Sequence, residues 1–408
     1  MKKNNKINYS GYFIFFLGVI FLYFAYSYNI DSYGKALSGD FRDTWPYVIE
    51  LTENFWIDPS NWTLHFPLHY YLLSKVYLIT NNQEVTRFFF LIVSIITPII
   101  FYLNLKQKYL SNRNTLLLLS TLIFFTPSFV YSAVWANDNN LSYLLMLIGS
   151  YFYLKQLKEN VYSKKILHIY LALLFFSLVC YSRQYYSVLY GYFMINFYLK
   201  ISFRDSIKIS IFSLLLALPG IFFLYSFPNM YEKLAFSGNV FNTILGNITT
   251  LSIYTLPVLL INLIFNRSLN LNFKLYKLLI PLILFIITIL FHDITKMGQN
   301  GGIFFIFSNK FFNNLYPFYI LFFINLICIF FIFEKKIDLL IIFTIIILIS
   351  GIIVLQKYFE PLFFIFFFLF SVSKFKDIFI TSHKACLTLI LYHILYSSIA
   401  VSNILHKI

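Results

Sequence analysis

Asp31, Asp40, Asp43, Glu50, Glu53, Asp58 and Glu84 all fall between residues 31 and 87, in a chain with only 16 acidic side chains among its 408 residues. A carboxylate at a water-facing site can take the proton from a hydroxyl, which is otherwise a poor nucleophile, so a cluster of this kind is where general-base chemistry is sought first. Asp40 is the candidate base; Asp43, three residues on, can replace it or pair with Arg42. Asp138 is a third carboxylate, placed to orient a substrate or Asp40 itself, or to serve as the N-cap of the helix that follows. Arg183 offers a planar fork of donors that matches phosphate, with Lys357 and Arg42 as further cations; Glu360 lies close enough in sequence to neutralise Lys357. A lone charge at a helix end, as for Asp138, Arg183 and Lys357, also fits a side chain that merely reaches for the interface.

The rest of the chain determines what can hold these groups. It is 60% hydrophobic, 22% aromatic and 12% charged, with 52 Phe and 33 Tyr against 13 Gly and 11 Pro. That composition excludes soluble, disordered, collagen-like and disulfide-scaffold classes and points to an all-α polytopic membrane protein. Cys180, Cys328 and Cys386 lie in apolar runs with neither disulfide nor metal-ligand spacing. The apolar stretch that follows Lys2 and Lys3 lacks a small-residue cleavage site and reads as a retained anchor.

A spanning helix takes about 20 mostly apolar residues. Runs of that kind lie near 12–29, 87–105, 115–134, 138–154, 166–182, 187–201, 209–227, 249–265, 278–291, 315–333, 339–355, 361–373 and 385–402, about 13 in all. Charge sidedness supports the map. With the N-terminus inside, the inner loops collect 21 of the 31 Lys and Arg and only Glu159, Asp205, Glu334, Asp338 and Asp377 among the acids. The net charge of +15 is then a topology signal, helped by anionic lipid, and not a nucleic-acid footprint.

On this map residues 31–87 form the first and longest outer segment of a single domain spanning 1–408. Within it Trp45–Trp56 and Pro67–Ile79 alternate at helical spacing and are too short or too polar to span, so they are expected as interfacial amphipathic helices with Trp and Tyr at headgroup depth. A lipid-linked sugar donor suits such a face. Its tail stays in the bilayer, basic side chains at outer helix ends hold its phosphate, and a carboxylate activates the acceptor hydroxyl. Phosphate is already a good leaving group and no nucleotide diphosphate has to be held, so no cofactor or metal is expected. Asp58 and Trp62 are candidate sugar contacts, with the indole as a stacking platform, or else interfacial anchors. His65 and His69 flank Pro67 at i, i+4. With that proline between them and no third ligand near, they read as acceptor-sugar contacts or as part of a plain amphipathic loop rather than as metal ligands.

These residues also resemble a family. Asp40 followed by Pro46, then Trp56-Ile57-Asp58-Pro59 and Phe66-Pro67-Leu68-His69-Tyr70-Tyr71-Leu72, is similar to the first luminal loop of the dolichyl-phosphate-glucose α-1,2-glucosyltransferases. Those are integral-membrane enzymes of the GT-C fold that add the terminal glucose to the lipid-linked oligosaccharide. Trp135-Ala136-Asn137-Asp138, Ser182-Arg183-Gln184-Tyr185 and Asn300-Gly301-Gly302-Ile303 follow in the family's order, and the likeness covers about residues 10–200. Phe41 stands where the family has Glu beside the key Asp, Phe304–Lys310 replaces a charged segment, and Lys357-Tyr358 matches loosely.

The resemblance implies an inverting transfer of a hexose, glucose foremost, from a polyprenyl-phosphate donor to a glycan or lipid-linked acceptor. The Lys/Asn/Ile/Phe bias suggests a low-GC bacterium with the active face in the periplasm; in a eukaryote that face is the ER lumen. The competing class is a transporter or lipid-linked oligosaccharide flippase. Such proteins tend to carry ionisable residues in mid-membrane and repeated halves. Here every charge maps to a loop or boundary, and no repeat is evident.

Overall fold

The structure, a computed structural model, describes residues 9–32, 35–63, 65–229, 239–266, 274–293, 302–348 and 359–405, the side chains of 302, 303 and 402–405 excepted. The described residues are helical with no strand. The helices are α1 (Ser10–Ser27), α2 (Ala36–Glu53), α3 (Leu68–Thr80), α4 (Gln83–Lys108), α5 (Arg113–Ser120), α6 (Pro127–Val134), α7 (Asp138–Lys158) and α8 (Tyr162–Ser182). They continue with α9 (Ser187–Tyr198), α10 (Phe203–Ser226), α11 (Val240–Phe265), α12 (Tyr276–Phe291), α13 (Gly302–Phe312), α14 (Tyr316–Ile332), α15 (Lys336–Leu348), α16 (Leu362–Ile365), α17 (Asp377–Thr381) and α18 (His383–Leu405). The chain divides into two compact units, residues 1–183 with 377–408, and residues 184–376.

Where the expected apolar runs fall on described residues they are largely helical, and the chain is a multi-pass membrane protein. Among the described residues six helices are both long and apolar enough to cross a bilayer: α1, α4, α8, α10, α11 and α18. The run expected at 115–134 is a bent pair, a broken span or a re-entrant loop. There α5 and the 3-10 turn Thr121–Phe125 meet α6 at 67°, because Pro127 has no N–H to continue the ladder and holds Thr126 extended. Helix α7 is long but not apolar. Asn139, Asn140, Ser142, Ser150 and Gln156 are buried on it, so it forms the polar core of the first unit against α4 and α8.

In the first unit the side-chain amides bind helices together, as hydrocarbon requires of any polar group it surrounds. Asn104 Nδ2 donates to the Leu147 carbonyl at 2.9 Å, joining α4 to α7. Asn140 Nδ2 donates to Ser94 Oγ at 2.9 Å and to the Phe129 carbonyl at 3.0 Å. Small residues let helices close up. A Cβ on Gly11 would stand 2.7 Å from the Asn114 carbonyl of α5, and one on Gly149 2.8 Å from Phe176 of α8.

The second unit uses the same device. Asn247 Nδ2 of α11 donates to the Ile346 carbonyl of α15 at 2.9 Å, and Asn262 Nδ2 to the Phe375 carbonyl at 2.7 Å. Asn325 of α14 donates to the Ile248 carbonyl and accepts from Thr255 Oγ1. An apolar cleft lies among Leu251, Ile329, Phe333, Ile345 and Phe363, and the buried Glu360 accepts from Tyr254 Oη beside it.

The first amphipathic helix starts nine residues earlier than its expected Trp45 start, at Ala36. The cause is Asp31. Its buried carboxylate accepts from the Leu37 N–H at 3.2 Å and the Ser38 N–H at 2.9 Å, satisfying two of the unpaired amides of the first turn. Asp40 and Asp43 therefore stand on a helix. Leu37, Phe41, Val48 and Leu51 form its buried stripe, while Asp43, Glu50 and Glu53 lie along its exposed side. The second amphipathic helix, α3, falls within one residue of expectation. Phe41, Tyr47, Val48, Leu51, Tyr70, Leu73, Phe90 and Ala136 pack into one cluster, with Trp45, Trp62 and Trp135 against it. Trp45 and Trp62 are thus half-buried against this cluster, while Phe55 and Trp56 are exposed.

Candidate functional site

One end of the first unit gathers the end of α1, the start of α3, the start of α4, the α6–α7 corner and the end of α8. The corner is tightly made. Ala136 takes a positive φ of 46°, Asn137 N–H donates to the Ser132 carbonyl at 2.9 Å, and Asn137 Oδ1 accepts from the Asn139 N–H at 3.3 Å. Asn137 is therefore the N-cap of α7. Asp138 is not, which corrects the capping alternative and leaves its carboxylate for other work.

That carboxylate is spent on Arg183. Asp138 Oδ1 accepts from Arg183 Nη2, and both side chains are almost wholly buried. Arg183 Nη2 also reaches Asn137 Oδ1 at 3.4 Å, and Nη1 meets His65 Nε2 at 2.8 Å. Neither Asp138 nor Arg183 is an interfacial anchor, because burial in partnership with an opposite charge is the reverse of reaching toward water. Asp138 Oδ2 is buried with no hydrogen-bond partner in the protein.

His69, beneath this pair, donates from Nε2 to the Ala136 carbonyl at 2.7 Å, so its Nδ1 carries the lone pair. Burial pushes its pKa down to about 4 despite the opposing pull of Asp138. Tyr70 Oη shares a 3.1 Å hydrogen bond with Thr63 Oγ1. Its pKa is raised first by burial and then by Asp138, with a smaller contribution from Asp40, while Arg183 opposes. Asp40 and Asp138 thus both act electrostatically on one phenol.

The other expected residues divide. Asp40 is exposed on α2. Asp43 pairs with Arg42 at 3.4 Å in an open setting, 69% and 81% exposed, where such a contact adds little stability. Asp58 accepts from the Ser60 N–H at 2.9 Å and caps the 3-10 turn Pro59–Asn61. Trp62 stacks one face on Tyr47, centroids 5.3 Å apart and planes within 17°. With His65 Nε2 on Arg183 and His69 Nε2 on Ala136, the i, i+4 pair is committed to protein partners. Among the described residues no group of three His, Cys, Asp or Glu is placed to hold a metal ion. Lys357, with Asn300 and Gly301, lies outside the described residues.

Arg87, at the start of the expected apolar run 87–105, ties this end together. Nη1 donates to both Glu84 oxygens at 2.9 Å, Nη2 to Asn29 Oδ1 at 2.8 Å and to the Val134 carbonyl at 3.0 Å, and Nε to the same carbonyl at 3.1 Å. The guanidinium also lies 4.1 Å from the centroid of the Trp135 ring. The sequence signal was an acid three residues before a basic residue at the start of an apolar helix.

Comparison of the chain with protein-family models, with curated proteins and with solved structures finds no match.

Proposed function

We propose that this chain is an integral-membrane glycosyltransferase of the GT-C class, with about 13 crossings and one active face. It transfers a hexose, glucose foremost, from a polyprenyl-phosphate donor to a glycan or lipid-linked acceptor with inversion. That face is the periplasmic side of a bacterial inner membrane, or the luminal side in a eukaryote. The observation that carries the reading is the gathering of an exposed carboxylate, Asp40, and a buried carboxylate–guanidinium pair, Asp138 and Arg183, around Tyr70 at one end of a membrane-spanning unit.

Each part has a role the chemistry requires. Asp40, on the open side of an amphipathic helix, takes the proton from the acceptor hydroxyl as that oxygen attacks the anomeric carbon. The bond to the lipid phosphate breaks on the opposite face, and the departing phosphate keeps the electron pair. Arg183 supplies positive charge where that negative charge builds. Asp138 aims the guanidinium, and its second oxygen is an acceptor for a substrate hydroxyl. Asp58 and Trp62 serve the acceptor side, while His65 and His69 are spent on Arg183 and the Ala136 carbonyl.

The test is direct. Purified protein is incubated with a panel of polyprenyl-phosphate sugars, and the released polyprenyl phosphate and the glycosylated product are identified by mass spectrometry. Release from one donor, lost in Asp40→Asn, is the expected outcome. Absence of release from every donor, with acceptor glycans supplied, overturns the reading.

A further inference from the structure

His65 is anchored on both sides. Its backbone N–H donates to Thr63 Oγ1 at 3.1 Å, and the neighbouring Phe66 ring meets Tyr181 edge-on at 5.7 Å. The imidazole is thereby presented to Arg183. A guanidinium nitrogen can only donate, so the 2.8 Å contact between Arg183 Nη1 and His65 Nε2 requires a lone pair on Nε2. His65 is then neutral, with its proton on Nδ1. Arg183 Nη2 is held at the same time by Asp138 Oδ1 and Asn137 Oδ1. The guanidinium plane is fixed at two corners by acceptors from two segments, the turn before α3 and the first residues of α7.

Of these three acceptors only His65 is an imidazole, the side chain that ordinarily changes charge near neutral pH. A proton on His65 Nε2 removes the acceptor from Nη1 and sets a second cation against Arg183. Arg183, at the end of α8, and Asp138, at the start of α7, are charged groups that face His65. His69, on α3, also acts on Asp138, but its own Nε2 is committed to the Ala136 carbonyl.

Resting on the reading of Arg183 as the donor-phosphate ligand, we propose that His65 is a positioning residue that holds the Arg183 guanidinium in its binding orientation only while the imidazole is neutral. Protonation of His65 then turns donor engagement down, and the enzyme carries a pH threshold on its water-facing side. Asp40, the base, acts in a separate step and on a separate helix.

Two measurements on the full-length protein in nanodiscs test this. The first uses ¹⁵N-histidine NMR and needs no ligand. At about pH 7.5 His65 Nε2 should show the deshielded shift of an unprotonated nitrogen, and that tautomer preference should vanish in Arg183→Gln. A protonated Nε2 at that pH overturns the lock, whatever the enzyme's substrate. The second measures binding of undecaprenyl phosphate between about pH 8 and pH 5. Wild-type affinity should fall about tenfold as the charge-assisted bond is lost. His65→Gln places an acceptor oxygen that does not titrate near the position of Nε2, so it should bind as wild type at neutral pH and lose the acid fall. His65→Leu should bind weakly throughout. The same acid fall in His65→Gln, or wild-type affinity in His65→Leu, overturns the positioning role. No binding by the wild-type chain at any pH overturns the donor reading, and the switch with it, while leaving the NMR result to stand for the lock.

Discussion

Asp138 and Arg183 form an ion pair in which the side chains are 1% and 2% exposed. Removing one partner leaves a buried charge alone, which costs about 3–5 kcal/mol, far more than a pair on the surface is worth. Arg183→Ala and Asp138→Asn should each lower the thermal unfolding temperature in detergent sharply. The combination Asp138→Asn with Arg183→Gln should recover part of the loss, since no lone charge remains. Single variants as stable as wild type would show that the pair does not hold this end of the unit.

Asp40 makes the opposite prediction. It is exposed on α2, so Asp40→Asn should change stability by no more than about 0.5 kcal/mol while abolishing sugar transfer. Thermal unfolding and donor hydrolysis measured on one preparation separate the two effects. Full activity in that variant would move the general-base role to Asp43 or to the Asp138 carboxylate.

His69 sets a pH dependence of stability. Its folded pKa is about 4, below the ordinary value near 6.5, so the unfolded chain binds a proton between those values that the folded chain does not. Stability is therefore complete above about pH 6.5 and declines as pH falls toward 4, by up to ~3 kcal/mol from this group. His69→Gln keeps a donor for the Ala136 carbonyl and cannot titrate, so unfolding curves collected against pH should be flatter over that window.

Arg87 tests geometry rather than charge. Its five donor contacts reach Glu84, Asn29 and Val134 at once, which a single ammonium cannot do. Arg87→Lys should cost about 2–4 kcal/mol and loosen the α1–α4–α6 junction, read as faster amide exchange at Asn29 and Trp135. An effect below about 0.5 kcal/mol would show that only the charge matters.

The helices were legible because hydrocarbon leaves the backbone no other partner, and the described parts of the apolar runs are largely helical. Their continuity was less so: a break at Pro127 and the polar, buried character of α7 depend on neighbours that a window of residues does not contain. At the site, the sequence pointed to Asp138, Arg183, His65 and His69 from type and position alone. It could not show that they meet, since Arg183 stands 118 residues from His65. The structural parts of Asp31 and Arg87 were not legible, because each is buried against backbone groups that only the folded chain brings to it.

The amide links of the second unit bear on how the protein is made. Asn247 and Asn262, both on α11, bond to carbonyls 99 and 113 residues further along the chain. At a synthesis rate of about 5–20 residues per second, α11 leaves the ribosome roughly 5–20 seconds before either partner exists. For that interval Asn262 has the Val258 carbonyl of its own helix to donate to, at 2.9 Å, but neither amide has its partner on another helix. The bonds that lock these helices together can therefore form only late, after most of the second unit has been made.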